Sequence, residues 1–262
     1  MSDFTDLRAR VISGLAMAVV GLAAIWLGGW PMTVLALVLA GLMGWELHKM
    51  MVPDAPEGRA EATGVVAVIL VLVLTVWQGG WVALAGLALG AAIMAWKMPR
   101  DRVIFGLYFA LILWAAHALI VLRGGYGLAF VLWLVCIVIA SDVAGYFAGR
   151  MLGGPKFWPR VSPKKTWSGT VAGWLLAALV GAGFVAWQGW PWALVAASPL
   201  LAFAGQLGDI AESAIKRHLG VKDSSHLIPG HGGVLDRFDA MIAVAALALV
   251  LAYLGAFAGL VG

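Results

Sequence analysis

Long apolar runs separated by short polar segments make up most of this 262-residue chain. Because a helix needs about 20 mostly apolar residues to cross a bilayer, the pattern predicts about nine membrane-spanning helices. The predicted spans are Val11–Leu27, Pro31–Met50, Gly64–Trp77, Trp81–Trp96, Val103–Leu122, Tyr126–Ala148, Ser168–Trp187, Trp192–Lys216 and Phe238–Leu260. Only QGG separates the third run from the fourth, which favours a tight hairpin. The runs are continuous and lack the alternation of polarity that strands of a membrane β-barrel show. We therefore expect an all-α, polytopic membrane protein.

Composition supports this class. Hydrophobic residues make up 63% of the chain and charged residues 11%, and the mean hydropathy is +0.98. Soluble domains are nearer half apolar and a quarter charged, so a soluble fold is excluded. The first run lacks a clear small-residue cleavage site, and we expect it to be retained as a span. Cys136 is the single cysteine, which excludes an intramolecular disulfide and a multi-cysteine metal site.

The basic residues predict the orientation. With the N-terminus in the cytoplasm, all 17 lysines and arginines except Arg123 lie on the inner side of the nine predicted spans. Tryptophans cluster at the outer helix ends: Trp26, Trp30, Trp77, Trp81, Trp187, Trp190 and Trp192. We therefore expect a cytoplasmic N-terminus and an external C-terminus. In a membrane protein the location of the basic residues matters more than the net charge of +4. We therefore expect no nucleic-acid partner.

The chemistry is expected on the cytoplasmic side, because the outer loops are minimal. The two long inner loops are Gly149–Trp167 and Arg217–Leu235. Residues 1–125 carry about five generic spans, and residues 126–262 are expected to form the catalytic region. Glu46 and His48, near an inner helix end, are interpreted as interfacial residues and not as part of a site.

Carboxylates within spans are costly and mark functional candidates. Gln206, Asp209, Ser213 and Lys216 recur at helical spacing and share one face, with Glu212 and Arg217 beside it. Asp142 lies about two turns before the first inner loop. Gly145 and Gly149 follow it at a spacing that favours close helix packing.

The loop Gly149–Trp167 is basic and contains no carboxylate. Lys164, Lys165, Thr166 and Ser168 place cations and hydroxyls next to a helix N-terminus, which favours a bound polyphosphate. Anchoring of the loop to anionic lipid headgroups is an open alternative.

The stretch PGHGGVLDRFDA, at residues 229–240, raises the charge density sharply between apolar runs. Asp236 and Asp239 lie three residues apart at a helix start, on one face. His231 and Arg237 add donors, and the glycines allow close backbone approach. Several carboxylates against many cations are typical of Mg²⁺-assisted phosphate chemistry.

Residues 213–239 resemble the signature of the phosphatidate cytidylyltransferase family, the CDP-diacylglycerol synthases. The matching positions are Ser213, Lys216, Arg217, Lys222, Asp223, Ser225, Ile228, Pro229, His231, Gly232, Gly233, Asp236, Arg237 and Asp239. The upstream stretches GQLGDIAES, SDVAGYFAGR and VSPKKTWSG are also similar to the family. Ser168 departs from the family pattern, in which a glutamate often follows KTW.

This resemblance implies that CTP and phosphatidate react to give CDP-diacylglycerol and pyrophosphate at the membrane lipid surface. It implies that Asp209 and Asp236 hold Mg²⁺, with further or supporting ligands in Asp239, Asp142 and Glu212. The implied phosphate-binding groups are Lys164, Lys165, Ser213, Lys216, Arg217, Lys222 and Arg237. Gly232 and Gly233 would allow backbone approach, and His231 would orient a phosphate or the loop.

Two other functions are consistent with part of this pattern. An ion-coupled transporter would also have intramembrane carboxylates, but such proteins tend to show repeated halves, and no repeat is visible. A transferase acting on CDP-alcohol substrates is closer in chemistry, and the full signature argues against it. A homodimer is an open alternative to a monomer.

The topology prediction can be tested with reporter fusions. We expect a reporter at the N-terminus to be active in the cytoplasm and one at the C-terminus to be active outside. Finding both ends on the same side would contradict a model with nine spans, because an odd number of crossings separates the ends.

Overall fold

The structure is a computed structural model that describes residues 2–76 and 81–260. Eight α-helices account for most of these residues, as the apolar pattern predicts. Their bounds are α1 Ser2–Leu27, α2 Gly29–Met51, α3 Arg59–Val76, α4 Trp81–Trp96, α5 Arg102–Met151, α6 Trp167–Gln188, α7 Ala193–His218 and α8 Leu235–Tyr253. A short 3-10 helix follows at Ala258–Leu260. Trp77 and the predicted QGG hairpin lie outside the described residues.

Five segments in the described part of the chain are long and apolar enough to cross a membrane. They are Arg10–Leu27, Gly29–Met51, Arg102–Met151, Trp167–Gln188 and Ala193–His218. Length and hydropathy thus agree with an all-α membrane protein. The count of nine spans stays a prediction, since α3, α4 and α8 do not meet the same criteria.

The fifth and sixth predicted spans lie within one element, α5. The helix is interrupted at Gly127, whose φ of 82° and ψ of −172° are not helical. A positive φ is strained for residues with a side chain and is accessible to glycine. The element therefore consists of two helical segments that meet at Gly127, close to the predicted break between Leu122 and Tyr126.

A short β-hairpin lies in the basic segment between α5 and α6, which the sequence predicted as a plain loop. Strand β1, Lys156–Trp158, pairs antiparallel with strand β2, Ser162–Thr166. The Thr166 hydroxyl accepts a hydrogen bond from the Gly169 N–H at 3.2 Å and caps α6. Ser168 therefore lies in the first turn of α6, and its hydroxyl donates to the Gly153 carbonyl at 2.5 Å.

The helices group into two compact units. The first contains residues 1–121 and 215–238. Within it α2 and α3 pack closely. A Cβ on Gly64 would lie 2.8 Å from the Gly41 carbonyl oxygen, so the contact needs a glycine. The aromatic rings of Phe105 and Phe109 stack with centroids 5.3 Å apart and are fully buried.

The second unit contains residues 122–214 and 239–262. A Cβ on Gly169 would lie 2.5 Å from the Gly145 carbonyl oxygen, so α6 packs tightly on the second segment of α5. The glycine spacing at Gly145 predicts this close packing. An aromatic cluster that includes Phe130 and Trp133 fills the core of the unit, and the Trp133 indole donates to the Ser198 hydroxyl at 3.0 Å.

This packing predicts different effects for two glycines of α6. Gly169→Ala should destabilise the protein by about 1–3 kcal/mol, because the added methyl group meets a backbone carbonyl that cannot rotate away. Gly183→Ala is the matched control, since nothing lies within 4 Å of its Cβ position. Thermal unfolding in detergent measures both. Equal melting temperatures for the two variants would contradict the close helix contact.

Candidate functional site

Most of the residues singled out in the sequence belong to two clusters, one in each compact unit. The first, the signature cluster, consists of Lys216, Ser224, Gly232, Gly233 and Asp236. The Lys216 ammonium lies 2.5 Å from Asp236 Oδ1, and the Asp236 side chain is only 4% exposed. Asp236 Oδ2 accepts from the Ser224 N–H and hydroxyl, both at 2.9 Å, and from the Gly233 N–H at 2.8 Å.

These contacts determine the ionisation of Asp236, which lies just before the predicted span that begins at Phe238. Burial alone would raise the pKa of the Asp236 carboxyl. The hydrogen bonds from Lys216, Gly233 and Ser224, with the charge of Lys216, outweigh burial and lower this pKa below its ordinary value. Asp236 is therefore held as a carboxylate.

The two adjacent glycines admit protein groups that a side chain would displace. Gly232 has a φ of 84°, and a Cβ there would lie 2.8 Å from Asp236 Oδ2. A Cβ on Gly233 would collide with the Ser224 hydroxyl and lie 2.5 Å from Glu46 Oε1. The sequence predicted that these glycines let the backbone approach a ligand. In the structure they let it approach Asp236, Ser224 and Glu46.

His231 and Arg237 stand beside this cluster. The His231 ring hydrogen-bonds the Ser13 hydroxyl on α1 through Nδ1 at 2.8 Å. Arg237 Nε donates to the His231 carbonyl at 3.0 Å, and Arg237 is an exposed residue. Arg217 and Lys222 are exposed as well. Arg217, Lys222 and Arg237 thus lie at the surface, where an anion can reach them.

The second cluster, the carboxylate cluster, contains Asp142, Lys165, Gln206, Asp209 and Asp239. The Lys165 ammonium lies 2.6 Å from Asp209 Oδ2 and donates to the Gln206 carbonyl at 3.1 Å. The side chains of Lys165 and Asp209 are 24% and 34% exposed, so both remain open to solvent. The predicted helical stripe is also visible, because the Ser213 hydroxyl donates to Asp209 Oδ1 at 3.2 Å.

Gln206 ties three helices together behind this ion pair. Its amide oxygen accepts from the Trp174 indole at 3.0 Å. Its amide nitrogen donates to the Ser141 hydroxyl at 3.1 Å and to the Thr170 carbonyl at 3.3 Å. These contacts join α5, α6 and α7 one turn before Asp209 and thereby position the Asp209 carboxylate.

The remaining acidic residues lie near Asp209. Asp142 and Asp239 are close enough to it to interact electrostatically, and Asp239 hydrogen-bonds Glu212. Glu212 is fully buried, so it fits a supporting role better than direct contact with a ligand. Within the described residues no three Asp, Glu, His or Cys side chains form a complete metal site. Such a site would need oxygens from a substrate or from water.

A cavity of about 460 Å³ opens at the carboxylate cluster. Its charged lining consists of Asp142, Arg150, Lys164, Lys165 and Asp209. The volume falls in the range of small-molecule sites, which is roughly 300–1,000 Å³. Cations and carboxylates facing one cavity suit an anionic ligand that arrives with a divalent cation. Sequence reasoning brought the two lysines and two aspartates to this site but did not single out Arg150.

Comparison with known proteins agrees with this chemistry. The sequence profile of the cytidylyltransferase family matches residues 8–254. The chain belongs to this family. It is therefore a nucleotidyltransferase, as the signature predicts.

Relatives with curated names are similar over nearly their whole length. A phosphatidate cytidylyltransferase from Brucella suis is 35% identical over 251 residues, covering 93% of this chain and 92% of the relative. The protein of that name from Bacillus subtilis is 30% identical over 278 residues, covering 91% and 95%. One from Staphylococcus aureus is 30% identical over 253 residues, covering 91% and 96%. The family assignment thus covers both units of this cytidylyltransferase-family protein.

Two residues that hold the signature cluster together, Ser224 and Glu46, were not predicted from the sequence. Glu46 was expected to be interfacial, but it is fully buried and accepts hydrogen bonds from the segment that precedes α8. The indication that the sequence offered was the position of Glu46 in an otherwise apolar helix.

The lowered pKa of Asp236 predicts a pH-dependent stability. The unfolded carboxyl has a pKa of about 3.9. The stabilisation is therefore complete above that pH and is lost as the pH falls through the lower folded pKa. At pH 7 we expect Asp236→Asn to destabilise the protein by about 1–3 kcal/mol. The difference from wild type should shrink at acidic pH, as measured by thermal unfolding.

Asp54→Asn is the control for this measurement, because Asp54 is exposed. Its difference from wild type should be small at every pH. A difference for Asp236→Asn that stays constant down to pH values below about 4 would contradict the role given to the ionised carboxylate.

Proposed function

We propose that the protein is a phosphatidate cytidylyltransferase, which transfers the cytidylyl group of CTP to phosphatidate and releases pyrophosphate. The observation that carries this proposal is the cavity in which Arg150, Lys164 and Lys165 face Asp142 and Asp209. The family membership and the names of the similar proteins support the same reaction.

The reaction makes modest demands on acid–base chemistry. A phosphate oxygen of phosphatidate forms a bond to the α-phosphorus of CTP, and the bond to the bridging oxygen of pyrophosphate breaks. Because the attacking oxygen is already anionic, no strong general base is needed. Catalysis then consists mainly of positioning and of stabilising charge. A cavity lined by fixed charges can supply both.

Some of the lysines and arginines are paired with an aspartate, and others are exposed. Lys165 is paired with Asp209 and lines the cavity, so a triphosphate would compete with Asp209 for its ammonium. Lys164 and Arg150 line the same cavity and are exposed. Lys216 is paired with Asp236, while Arg217, Lys222 and Arg237 are exposed. We assign the exposed groups to the phosphates of CTP and of the lipid.

Mg²⁺ is the metal proposed for the reaction, held by Asp209 and Asp236 with help from Asp142, Asp239 and Glu212. The donor set fits this ion, because Mg²⁺ prefers carboxylate oxygens and keeps positions for water and substrate phosphates. Asp209 is open to solvent, whereas both oxygens of Asp236 already accept hydrogen bonds. When bound, the metal would offset the negative charge of the triphosphate.

The proposed location follows from the predicted orientation. The reaction takes place at the cytoplasmic face of the bacterial inner membrane, where CTP enters from water and phosphatidate enters from the bilayer. The signature cluster and the basic hairpin both belong to predicted inner segments. Whether the enzyme acts as a monomer or as a homodimer can be measured by light scattering of the purified protein.

The direct test uses purified protein in mixed micelles with α-labelled CTP and phosphatidate. We expect the label to appear in CDP-diacylglycerol and pyrophosphate to be released in equal amount. Omitting phosphatidate is the control. Label transfer that requires CDP-diacylglycerol and an alcohol in place of phosphatidate would instead favour the CDP-alcohol alternative. A folded protein without activity in either assay would contradict the proposal.

Lys165 provides a test of phosphate binding. Lys165→Ala should raise the KM for CTP by about tenfold or more, because a charge-assisted hydrogen bond to phosphate is lost. Lys156→Ala is the matched control, since Lys156 lies on the same hairpin and is exposed. An unchanged KM in folded Lys165→Ala, or equal effects of both variants, would favour anchoring of the hairpin to lipid headgroups.

The metal hypothesis predicts a non-additive pair. Asp209→Asn and Asp236→Asn should each lower turnover by about 100-fold or more, since asparagine keeps the shape and removes the charge that offsets the cation. The double variant should be little worse than either single variant, because residues acting as a unit are non-additive. Substantial activity in either folded single variant would contradict paired ligation.

A further inference from the structure

Glu46 lies near the inner end of α2, and both of its carboxylate oxygens contact the segment that leads into α8. Oε1 accepts from the Ser225 hydroxyl at 2.6 Å and from the Val234 N–H at 2.8 Å. Oε2 accepts from the Leu235 N–H at 2.7 Å and from the Ser224 hydroxyl at 3.3 Å. The side chain is 0% exposed, so three donors, and the Ser224 hydroxyl that Glu46 shares with Asp236, replace water.

The contacts place a carboxylate at the N-terminus of a helix. Helix α8 begins at Leu235, and the first N–H groups of a helix have no partner within it. A residue next to the helix usually caps them. Here the cap comes from a residue 189 positions away in sequence. The negative charge of Glu46 also suits the positive end of the helix dipole.

The same segment holds Asp236. The Ser224 hydroxyl lies between the two carboxylates, 2.9 Å from Asp236 Oδ2 and 3.3 Å from Glu46 Oε2. The Gly233 N–H donates to Asp236, and the Val234 and Leu235 N–H groups donate to Glu46. Three successive backbone donors are thus divided between two carboxylates, so the position of one depends on the position of the other.

We propose that Glu46 is a positioning residue for the transfer reaction: it fixes the start of α8 and thereby the Asp236 carboxylate, without contacting substrate. The role in the reaction rests on the proposed function, whereas the role in ordering the segment does not. The structure also explains why a carboxylate is required. Glutamine would turn an NH₂ group toward one of two backbone N–H donors and would lose the charge.

Hydrogen exchange in the purified protein tests the ordering role without an activity assay. In Glu46→Gln we expect faster exchange in peptides covering residues 224–240 and unchanged exchange in α6. Glu46→Asp keeps the charge but is one methylene shorter, so it should lie between wild type and Glu46→Gln. Glu57→Gln removes the same charge from an exposed position and should behave as wild type.

Kinetics test the positioning role. Glu46→Gln should lower kcat by about 10- to 100-fold, the range expected for a misplaced reacting group, with little change in the KM for CTP. The Mg²⁺ concentration for half-maximal rate should rise, and Glu46→Asp should recover part of kcat. A residue needed only for folding would instead lower the active fraction and leave the Mg²⁺ dependence unchanged.

The outcomes separate the proposals. Wild-type exchange at residues 224–240 in Glu46→Gln, or faster exchange in all helices, would overturn the ordering role. Local loosening with unchanged kcat would overturn the positioning role. An inactive wild-type protein that shows the same local loosening would count against the proposed function and leave the ordering role supported. If Glu46→Gln does not purify, Ser225→Ala removes one hydrogen bond and should cause smaller changes in the same direction.

Discussion

The signature segment depends on the ion pair between Asp236 and Lys216. The Asp236 side chain is 4% exposed, and its carboxylate lies 2.5 Å from the Lys216 ammonium. A carboxylate removed from water without partners costs several kcal/mol, so the chain must bring donors to it. Ser224 and Gly233 supply them, and Gly232 and Gly233 leave room for the approach. The buried charge thus explains the two glycines of the signature and the neighbouring Ser224.

The need to neutralise buried or half-buried aspartates also explains the two lysine–aspartate ion pairs. In each unit one lysine neutralises one aspartate, Lys216 with Asp236 and Lys165 with Asp209. Under the proposed function, a triphosphate that arrives with a divalent cation would bring both an anion for the lysine and a cation for the aspartate. Each ion pair would then exchange partners without leaving a charge unpaired. This exchange is most accessible at Asp209, which is the more exposed of the two aspartates.

Much of this arrangement follows from the sequence because it depends on local pattern. The apolar runs predict the helices, and the helical spacing predicts that Asp209 and Ser213 share one face, as the structure shows. The hairpin at residues 156–166 was not predicted, because its strands are short and contain none of the alternation that marks a strand. The merging of two predicted spans into α5 reflects the ability of Gly127 to connect helical segments directly.

Glu46 could not be predicted, for a different reason. A glutamate at a helix end is usually solvated, and helix caps are normally recognised from residues next to the helix. The cap of α8 instead comes from α2, which belongs to the first 125 residues that had no identifying motif. Residues 215–238 lie in one compact unit with residues 1–121. The N-terminal helices therefore do more than anchor the chain, because Glu46 on α2 and Ser13 on α1 hold the signature segment. A motif confined to one segment can thus depend on a distant helix that contributes a single carboxylate.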